Sequence, residues 1–301
     1  MKIQFGKSEV DLGGKYLTAN LRDSRSILDD QEALQARFED DGYLLIRGFH
    51  DRKLVLEARK RVLQHLATHG CIDESAELMD GVIPPNSKAP RMTGQQVITH
   101  TEQLLTVLEN KRVFDFFNNF YGEPAITFDY KWLRAIGPAG FTGAHYDVVY
   151  MGRGSTRLCT AWTPLGDMDI QQGPLALCIG SHKLPGYNKV RETYGRMDVD
   201  RDLVEGIFSK DPVEIVDRFG GQWQTTDFRA GDILILGMFT MHASLTNTTK
   251  QWRISCDTRF QPAGDEIDDR WIGEKPLEHY ASNAPGAKIV PMDDARVEWG
   301  V

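Results

Sequence analysis

Two histidines and one aspartate stand at positions where they could bind a single metal ion. His145 and Asp147 are two residues apart, and His242 lies far downstream at the end of an apolar segment. In a β-strand, residues i and i+2 point to the same face, so one strand would offer His145 and Asp147 to the same ion. Two histidines and one carboxylate form the ligand set of non-haem Fe(II) oxygenases, which leaves three octahedral positions for a cosubstrate and O2. The spacing therefore predicts a catalytic iron site rather than a closed structural one.

An arginine shortly after His242 strengthens this interpretation. The segment 231–242 is predicted to contain an apolar strand that ends at His242, and Arg253 lies on the next predicted strand. An arginine that points into the interior of a β-barrel needs an anionic partner, because an unpaired internal charge is costly. The far carboxylate of 2-oxoglutarate is such a partner, and a guanidinium binds a carboxylate in a bidentate fork. Arg253 is therefore predicted to bind 2-oxoglutarate.

Several motifs, taken in order, resemble the phytanoyl-CoA dioxygenase family of Fe(II)- and 2-oxoglutarate-dependent oxygenases. The N-terminal segment 37–49, RFEDDGYLLIRGF, is typical of that family. The other matching motifs are GAHYD at 143–147, QGPL at 172–175, IGSHK at 179–183, AGD at 230–232, HAS at 242–244 and RIS at 253–255. The resemblance covers roughly residues 30–262. It implies a mainly β fold, a double-stranded β-helix or jelly roll, with N-terminal helices packed on the major sheet.

The resemblance also implies an activity. Iron would be bound by His145, Asp147 and His242, with 2-oxoglutarate chelated to the iron and O2 in the remaining position. The expected reaction hydroxylates an unactivated C–H bond of a small molecule and releases succinate and CO2. Desaturation, ring formation and C–heteroatom cleavage are alternative outcomes. A non-oxidative, cupin-like metal-binding protein is a further alternative, although such a protein would not need Arg253. The halogenase variant of the fold replaces the aspartate by a small residue, so Asp147 disfavours it.

Further positions are expected near the cosubstrate or the substrate. The resemblance implies that four further residues help bind 2-oxoglutarate: Ser244, Trp162, Thr160 and Lys131. For Trp162, plain core packing is an equal alternative. Four residues are predicted to line a substrate pocket: Tyr150, Phe239, Trp132 and Arg134. Core packing is the alternative for the three aromatic residues. Lys131 and Arg134 are three positions apart on a predicted strand, so at most one of them points inward.

The chain is predicted to form one oxygenase domain over residues 1–301. Its parts are a mainly helical segment 1–124, a jelly-roll core 125–262 and a C-terminal extension 263–301. The core contains a long polar insert, 183–229, which is either a surface excursion or a lid over the active site.

Hydrophobic periodicity and turn residues predict the individual elements. Helices are predicted over 29–41, 51–69 and 101–121 and near 200–208. Strands are predicted over 43–49, 125–136, 144–151, 156–164, 174–179, 232–239 and 252–260.

The composition bounds the class of protein. The chain has 301 residues, of which 41% are hydrophobic and 26% charged, an ordinary globular composition. A net charge of −8 opposes non-specific binding to nucleic acid. No apolar run is long enough for a membrane span, and the N-terminus does not resemble a secretory signal. The four cysteines are isolated in apolar contexts, which predicts free thiols in a reducing compartment. We therefore expect a cytoplasmic enzyme with a small-molecule substrate and with neither nucleic acid nor membrane as partner. The oligomeric state and the substrate stay open.

Overall fold

The computed structural model describes residues 1–281 and 284–301, and the helices and strands of those residues are as follows. The α-helices are α1 (Gln31–Asp41), α2 (Arg52–Thr68), α3 (Gln96–Thr99), α4 (Glu102–Leu108), α5 (Lys111–Tyr121), α6 (Val148–Met151), α7 (Asn188–Glu192), α8 (Val199–Asp202), α9 (Pro212–Phe219) and α10 (Met292–Trp299). The β-strands are β1 (Lys2–Phe5), β2 (Ser8–Asp11), β3 (Leu17–Thr18), β4 (Tyr43–Ile46), β5 (Ala125–Thr127), β6 (Trp132–Ile136), β7 (Cys159–Pro164), β8 (Leu175–Ile179), β9 (Gln222–Gln224), β10 (Ile233–Gly237), β11 (His242–Ser244) and β12 (Arg253–Pro262).

Two sheets form the core of the molecule. The larger sheet has the strand order β4-β10-β7-β12-β5, with β6 also paired to β12. The smaller sheet has the order β11-β8-β9-β3. From β7 to β12 the chain passes back and forth between the two sheets: β7 is in the larger sheet, β8 and β9 in the smaller, β10 in the larger, β11 in the smaller and β12 in the larger, which is the winding of a jelly roll. The predicted fold class is therefore confirmed.

The N-terminal helices pack on the outer face of the larger sheet. Strand β12 is buried along its whole length, and alternate residues point to opposite faces. On the outer face, Phe260 stacks on Phe117 of α5, with ring centroids 4.1 Å apart. Ile254 lies in the same hydrophobic cluster as Val62 and Leu66 of α2. The inner face of β12 is left for the residues between the two sheets.

Capping residues set the ends of the first two helices as predicted. Asp30 accepts a hydrogen bond from the backbone of Ala33 at the start of α1, which ends at Gly42 in the left-handed conformation. Asp51 caps α2 in the same way. The predicted helices over 29–41 and 51–69 thus differ from the observed ones only at their termini.

The single helix predicted over 101–121 is wrong, because the segment forms two helices, α4 and α5. The Asn110 side chain accepts a hydrogen bond from the backbone of Val113 at 3.1 Å and donates one to the carbonyl of Thr106 at 2.8 Å. An asparagine in this position competes with the helical backbone and starts a new helix instead. Periodicity alone does not reveal such a break.

Two strand predictions also need correction. The strand predicted over 125–136 is divided into β5 and β6, with Phe128 and Tyr130 buried between them. The strand predicted over 144–151 is reduced to isolated bridges at Ala144 and His145, after which the chain turns into α6. Apolar residues in 144–151 are buried whether the backbone is extended or helical, so their pattern does not distinguish the two.

The insert 183–229 is packed against the smaller sheet rather than projecting from the surface. Its aromatic residues Tyr187, Tyr194 and Phe208 are fully buried in the largest hydrophobic cluster. Ser209 pairs with Ala144 in an antiparallel bridge beside the predicted metal ligands. The helix predicted near 200–208 covers only α8, because Leu203 takes a left-handed conformation with φ of 52°.

Among the residues described, no helix is both long and apolar enough to cross a membrane.

Candidate active site

The three predicted metal ligands meet between the two sheets. His145 and His242 exchange backbone hydrogen bonds of 3.0 and 3.1 Å, which brings their side chains side by side. Asp147 lies in the right-handed helical region at the N-terminus of α6 and not on a strand. The turn into α6 still directs its carboxylate to the histidines, and one ligand atom of each residue lies within 4.8 Å of the others.

Backbone carbonyls orient both imidazole rings. Nδ1 of His145 lies 2.8 Å from the carbonyl oxygen of Gly143, and Nδ1 of His242 lies 2.9 Å from that of Thr240. A carbonyl only accepts, so Nδ1 carries the proton and the Nε2 lone pair is available to a metal. Oδ1 of Asp147 is 3.7 Å from both Nε2 atoms. The Nε2 atoms of two imidazoles and one carboxylate oxygen on one side of a cavity suit a divalent iron ion.

Burial determines the charge of these ligands. Desolvation, helped by the neighbouring His242, lowers the pKa of His145 to about 3, so its imidazole is neutral at pH 7. Burial alone would raise the pKa of Asp147, but the Arg259 guanidinium, the two histidines and the Thr160 hydroxyl outweigh it and hold this pKa well below its usual range. The site therefore presents the negative charge of Asp147 and the neutral imidazole of His145.

Arg253 enters the same cavity from the first residue of β12. It is 2% exposed, and neither its Nε nor its Nη1 has a hydrogen-bond partner within the described residues. Burial, followed by the charge of Arg134, lowers its pKa to about 10, so it stays charged at pH 7. A buried guanidinium whose N–H groups lack hydrogen-bond partners is costly, so an anionic ligand that accepts those hydrogen bonds would stabilise it. Arg253 lines the same cavity as His145, Asp147 and His242, so this charge lies beside the three predicted metal ligands.

The residues that line this cavity come from both sheets. They are Arg134, Thr142, His145, Asp147, Thr160, Trp162, Leu175, His242, Arg253, Ser255 and Asp257.

Three of the residues predicted to bind 2-oxoglutarate lie at or next to the cavity. The Thr160 hydroxyl donates a hydrogen bond to Oδ2 of Asp147. Trp162 lines the cavity and packs edge-on against Phe228 with ring centroids 4.8 Å apart, so it contributes to both the core and the site. The Ser244 hydroxyl accepts a 2.8 Å hydrogen bond from the backbone of Thr142, which lines the cavity in its place.

Lys131 lies elsewhere, and its predicted contact with 2-oxoglutarate is corrected. Its ammonium group pairs with Glu109 and donates to the carbonyl of Phe128 at 3.1 Å. The chain turns between β5 and β6, so Lys131 precedes the strand instead of belonging to it. Arg134 is the inward residue of the two and pairs with Asp257.

The predicted substrate-pocket residues are dispersed. The Tyr150 ring packs edge-on against His145, with ring centroids 5.6 Å apart. Trp132 lies behind the metal ligands, under the guanidinium of Arg259 at 4.3 Å. Phe239 faces away from the site and lines a surface groove with Phe38, so its predicted place in the pocket is wrong. Strand β10 ends at Gly237 and the chain then turns, so the Phe239 side chain does not point to the side expected if the strand continued.

The sequence did not predict a role for Ser255 and Asp257, which line the cavity, or for Arg259, which contacts Asp147. Ser255, Asp257 and Arg259 follow Arg253 at every second position of β12, and all are buried. The signal is visible in the segment RISCDTR, where polar side chains alternate with apolar ones inside a predicted core strand. Such alternation indicates that the face of the strand that points into the interior is polar. In an ordinary core strand that face would be apolar.

A jelly roll with two histidines, one aspartate and a buried arginine in a single cavity defines an oxygenase site. The chain belongs to the phytanoyl-CoA dioxygenase (PhyH) family, whose family model matches residues 38–255. The protein is accordingly a non-haem iron dioxygenase that uses Fe(II), 2-oxoglutarate and O2. Membership in this family removes the non-oxidative, cupin-like alternative.

Individual relatives agree with this class. The chain is 29% identical over 254 residues to 1-deoxypentalenic acid 11-beta-hydroxylase of Streptomyces exfoliatus, covering 80% of this chain and 84% of the relative. It shares its fold with EctD from S. alaskensis, solved with 2-oxoglutarate and 5-hydroxyectoine, at a TM-score of 0.55 and 16% identity, covering 97% and 100% of the two chains. It also shares the fold of the epimerase SnoN, solved with Fe3+, alpha ketoglutarate and nogalamycin RO, at a TM-score of 0.55 and 19% identity, covering 87% and 93%.

Proposed function

We propose that this enzyme hydroxylates a C–H bond of a small organic molecule, with His145, Asp147 and His242 holding the iron. The observation that carries the proposal is the buried, unsatisfied guanidinium of Arg253 in the cavity of these three ligands. Arg253 would bind the C5 carboxylate of 2-oxoglutarate through two parallel hydrogen bonds. Fe(II) with 2-oxoglutarate and O2 supplies the oxidising power, and the cosubstrate leaves as succinate and CO2.

The chain's own residues contribute orientation and the exclusion of water. The carbonyls of Gly143 and Thr240 fix the imidazole rings, so no ring has to reorient when a metal binds. Trp162 and Leu175 close the cavity with apolar surface beside Arg253. Removing water strengthens the attraction between Arg253 and a carboxylate, because charges interact more strongly in a low dielectric.

The narrow access to the site supports a small substrate. His145, Asp147 and His242 are 8%, 3% and 5% exposed. The surface of a folded macromolecule would not reach ligands at this depth, whereas a small molecule would. The four cysteines are buried free thiols, which supports a reducing cytoplasm as the location.

The proposed reaction is tested with the substrate of the named relative as the first candidate. We expect that 1-deoxypentalenic acid or a related organic acid stimulates succinate release and gains one oxygen atom from labelled O2. The matched control is Asp147→Ala, which should release no succinate above background. Succinate release with a product that has lost two hydrogen atoms and carries no labelled oxygen would contradict hydroxylation and favour desaturation or ring formation.

A further inference from the structure

The two oxygen atoms of the Asp147 carboxylate have different surroundings. Oδ1 faces the metal side, 3.7 Å from Nε2 of both His145 and His242. Oδ2 points the other way, where it accepts a hydrogen bond from the Thr160 hydroxyl and lies 3.4 Å from Nη2 of Arg259. One oxygen is thus free for a metal, and the other is held by the protein.

The two residues that hold Oδ2 come from neighbouring strands of the larger sheet. Thr160 of β7 and Arg259 of β12 lie directly opposite each other in the antiparallel register. Both are buried. Because β7 and β12 are central strands with hydrogen-bonded neighbours on both sides, this pair is a rigid support. Asp147 itself lies outside the strands, on the segment between β6 and β7, so it depends on that support for its direction.

Arg259 is itself fixed by further contacts, among them an ion pair with Asp257 at 4.0 Å. Its guanidinium lies over the ring of Trp132 at 4.3 Å. Its Nε donates to the sulfur of Met151 at 2.9 Å, and Met151 is the last residue of α6. Its Nη1 lies 3.4 Å from the carbonyl of Thr258. Arg259 therefore contacts both Asp147, which precedes α6, and Met151, which ends it.

We propose that Thr160 and Arg259 are positioning residues that make Asp147 a one-oxygen ligand of the metal through Oδ1. The proposal rests on the function proposed above, in which Asp147 binds iron. An aspartate with both oxygens free can rotate and bind an ion through both of them. Such a two-oxygen ligand would occupy one of the three coordination positions that 2-oxoglutarate and O2 require. The hydrogen bond from Thr160 and the charge of Arg259 hold Oδ2 away from the metal, so the three positions stay open.

The chain offers closely matched variants for a test. Thr160→Val keeps the shape and removes the hydroxyl, while Thr160→Ser keeps the hydroxyl. Thr163→Val is the control, because Thr163 is buried on the same strand and its hydroxyl contacts Nε2 of His50 at 3.3 Å, away from the metal ligands. Arg259→Lys, which shortens the donor, tests the second contact independently if Thr160→Val does not fold.

The measurement is a titration of the metal-free protein with Co(II), followed through the visible absorption of the bound ion, whose intensity and shape change with coordination number. We expect Thr160→Val and Arg259→Lys to bind Co(II) about ten- to a hundredfold more weakly and with an altered spectrum. Thr160→Ser and Thr163→Val should match the native protein. Circular dichroism of each variant checks that it is folded.

The outcomes separate this inference from the proposed function. If Thr160→Val and Arg259→Lys bind Co(II) with native affinity and a native spectrum, the positioning role is wrong while the metal site stands. If Thr163→Val loses affinity as much as Thr160→Val does, the effect is a general consequence of a lost buried hydroxyl, and the positioning role is again wrong. If the native protein itself binds no Co(II), the proposed metal site fails first.

Discussion

His50 and His145 are two buried histidines that the fold holds in their neutral form. Burial, together with the charge of Arg112, lowers the pKa of His50 to about 3. Burial and the neighbouring His242 lower the pKa of His145 to about 3 as well. Each side chain has an ordinary pKa near 6.5 when the chain is unfolded. Between these two pKa values, His50 and His145 are protonated in the unfolded chain but not in the folded protein.

The sign of the resulting pH dependence follows from that difference. Between about pH 6.5 and pH 3 the unfolded state binds more protons, so the free energy of unfolding falls as the pH falls. Each histidine contributes up to about 1.4 kcal/mol per pH unit in this window. In the metal-free protein, His50→Gln should reduce the slope by about one proton, as measured by urea unfolding at several pH values. A native slope in His50→Gln would contradict the neutral buried state of His50.

At the residue scale, the sequence was sufficient where the chemistry of a side chain restricts its partners. His145, Asp147, His242 and Arg253 meet in one cavity, as their types and spacing predicted. Lys131 does not, because its partner Glu109 lies on the loop between α4 and α5, a contact that no local pattern announces.

At the scale of the elements, the contribution of Asn110 to the break between α4 and α5 can be measured as a change in the free energy of unfolding. Asn110 satisfies the backbone of Val113 in α5 and donates to the carbonyl of Thr106 in α4. Asn110→Ala leaves both groups without these partners, and we expect it to lower the free energy of unfolding by about 1 kcal/mol. Asn119→Ala is the control, because Asn119 is exposed in the interior of α5, where alanine is the better helix former. Equal stability of the two variants in urea would show that Asn110 is not a cap.

Elements were predictable where long periodic patterns end at good capping residues. Helix α2 ends close to its predicted limits because Asp51 and the glycine after His69 mark them. The strand predicted through Asp147 was wrong, because the backbone at that residue is helical. The two ligands still converge, since the turn into α6 replaces the alternation of a strand with a different geometry that serves the same ion.

On the scale of the whole molecule, the insert and the C-terminal extension form a connected layer beside the site. Val204 pairs with Val290 in a parallel bridge, and Ser209 pairs with Ala144, next to His145. Arg296 of α10 forms an ion pair with Glu214 of α9. Packing of this layer could not be predicted from the sequence, because these contacts join residues that are 65 to 88 positions apart in the chain, from Ser209 with Ala144 to Arg296 with Phe208.

The ion pair between Arg296 and Glu214 is expected to contribute to the free energy of unfolding by joining α9 to α10. Burial alone would raise the pKa of Glu214, but Arg296, Arg218 and Ser209 lower it to about 2. The pair therefore stabilises the fold above about pH 4.5, and this stabilisation is lost as the pH falls toward 2. We expect Arg296→Met to lower the free energy of unfolding at pH 7 by about 1 to 3 kcal/mol.

Arg218→Met is the matched control for that variant. Arg218 also pairs with Glu214, but its side chain is 46% exposed, whereas that of Arg296 is 7% exposed. An exposed pair within a helix contributes little, so Arg218→Met should cost less than about 1 kcal/mol in urea unfolding. If Arg218→Met destabilises the protein as much as Arg296→Met does, the contact between α9 and α10 is not what holds the layer.

The most direct test of the central claim is an anaerobic titration of the metal-free protein with Fe(II) and then with 2-oxoglutarate. The visible charge-transfer band of an iron–2-oxoglutarate chelate reports both events. We expect the band in the native protein, its loss in Asp147→Ala because iron no longer binds, and its appearance only at much higher 2-oxoglutarate in Arg253→Ala, with iron binding retained. Iron bound to the native protein without any band on addition of 2-oxoglutarate would contradict the assignment of this cavity.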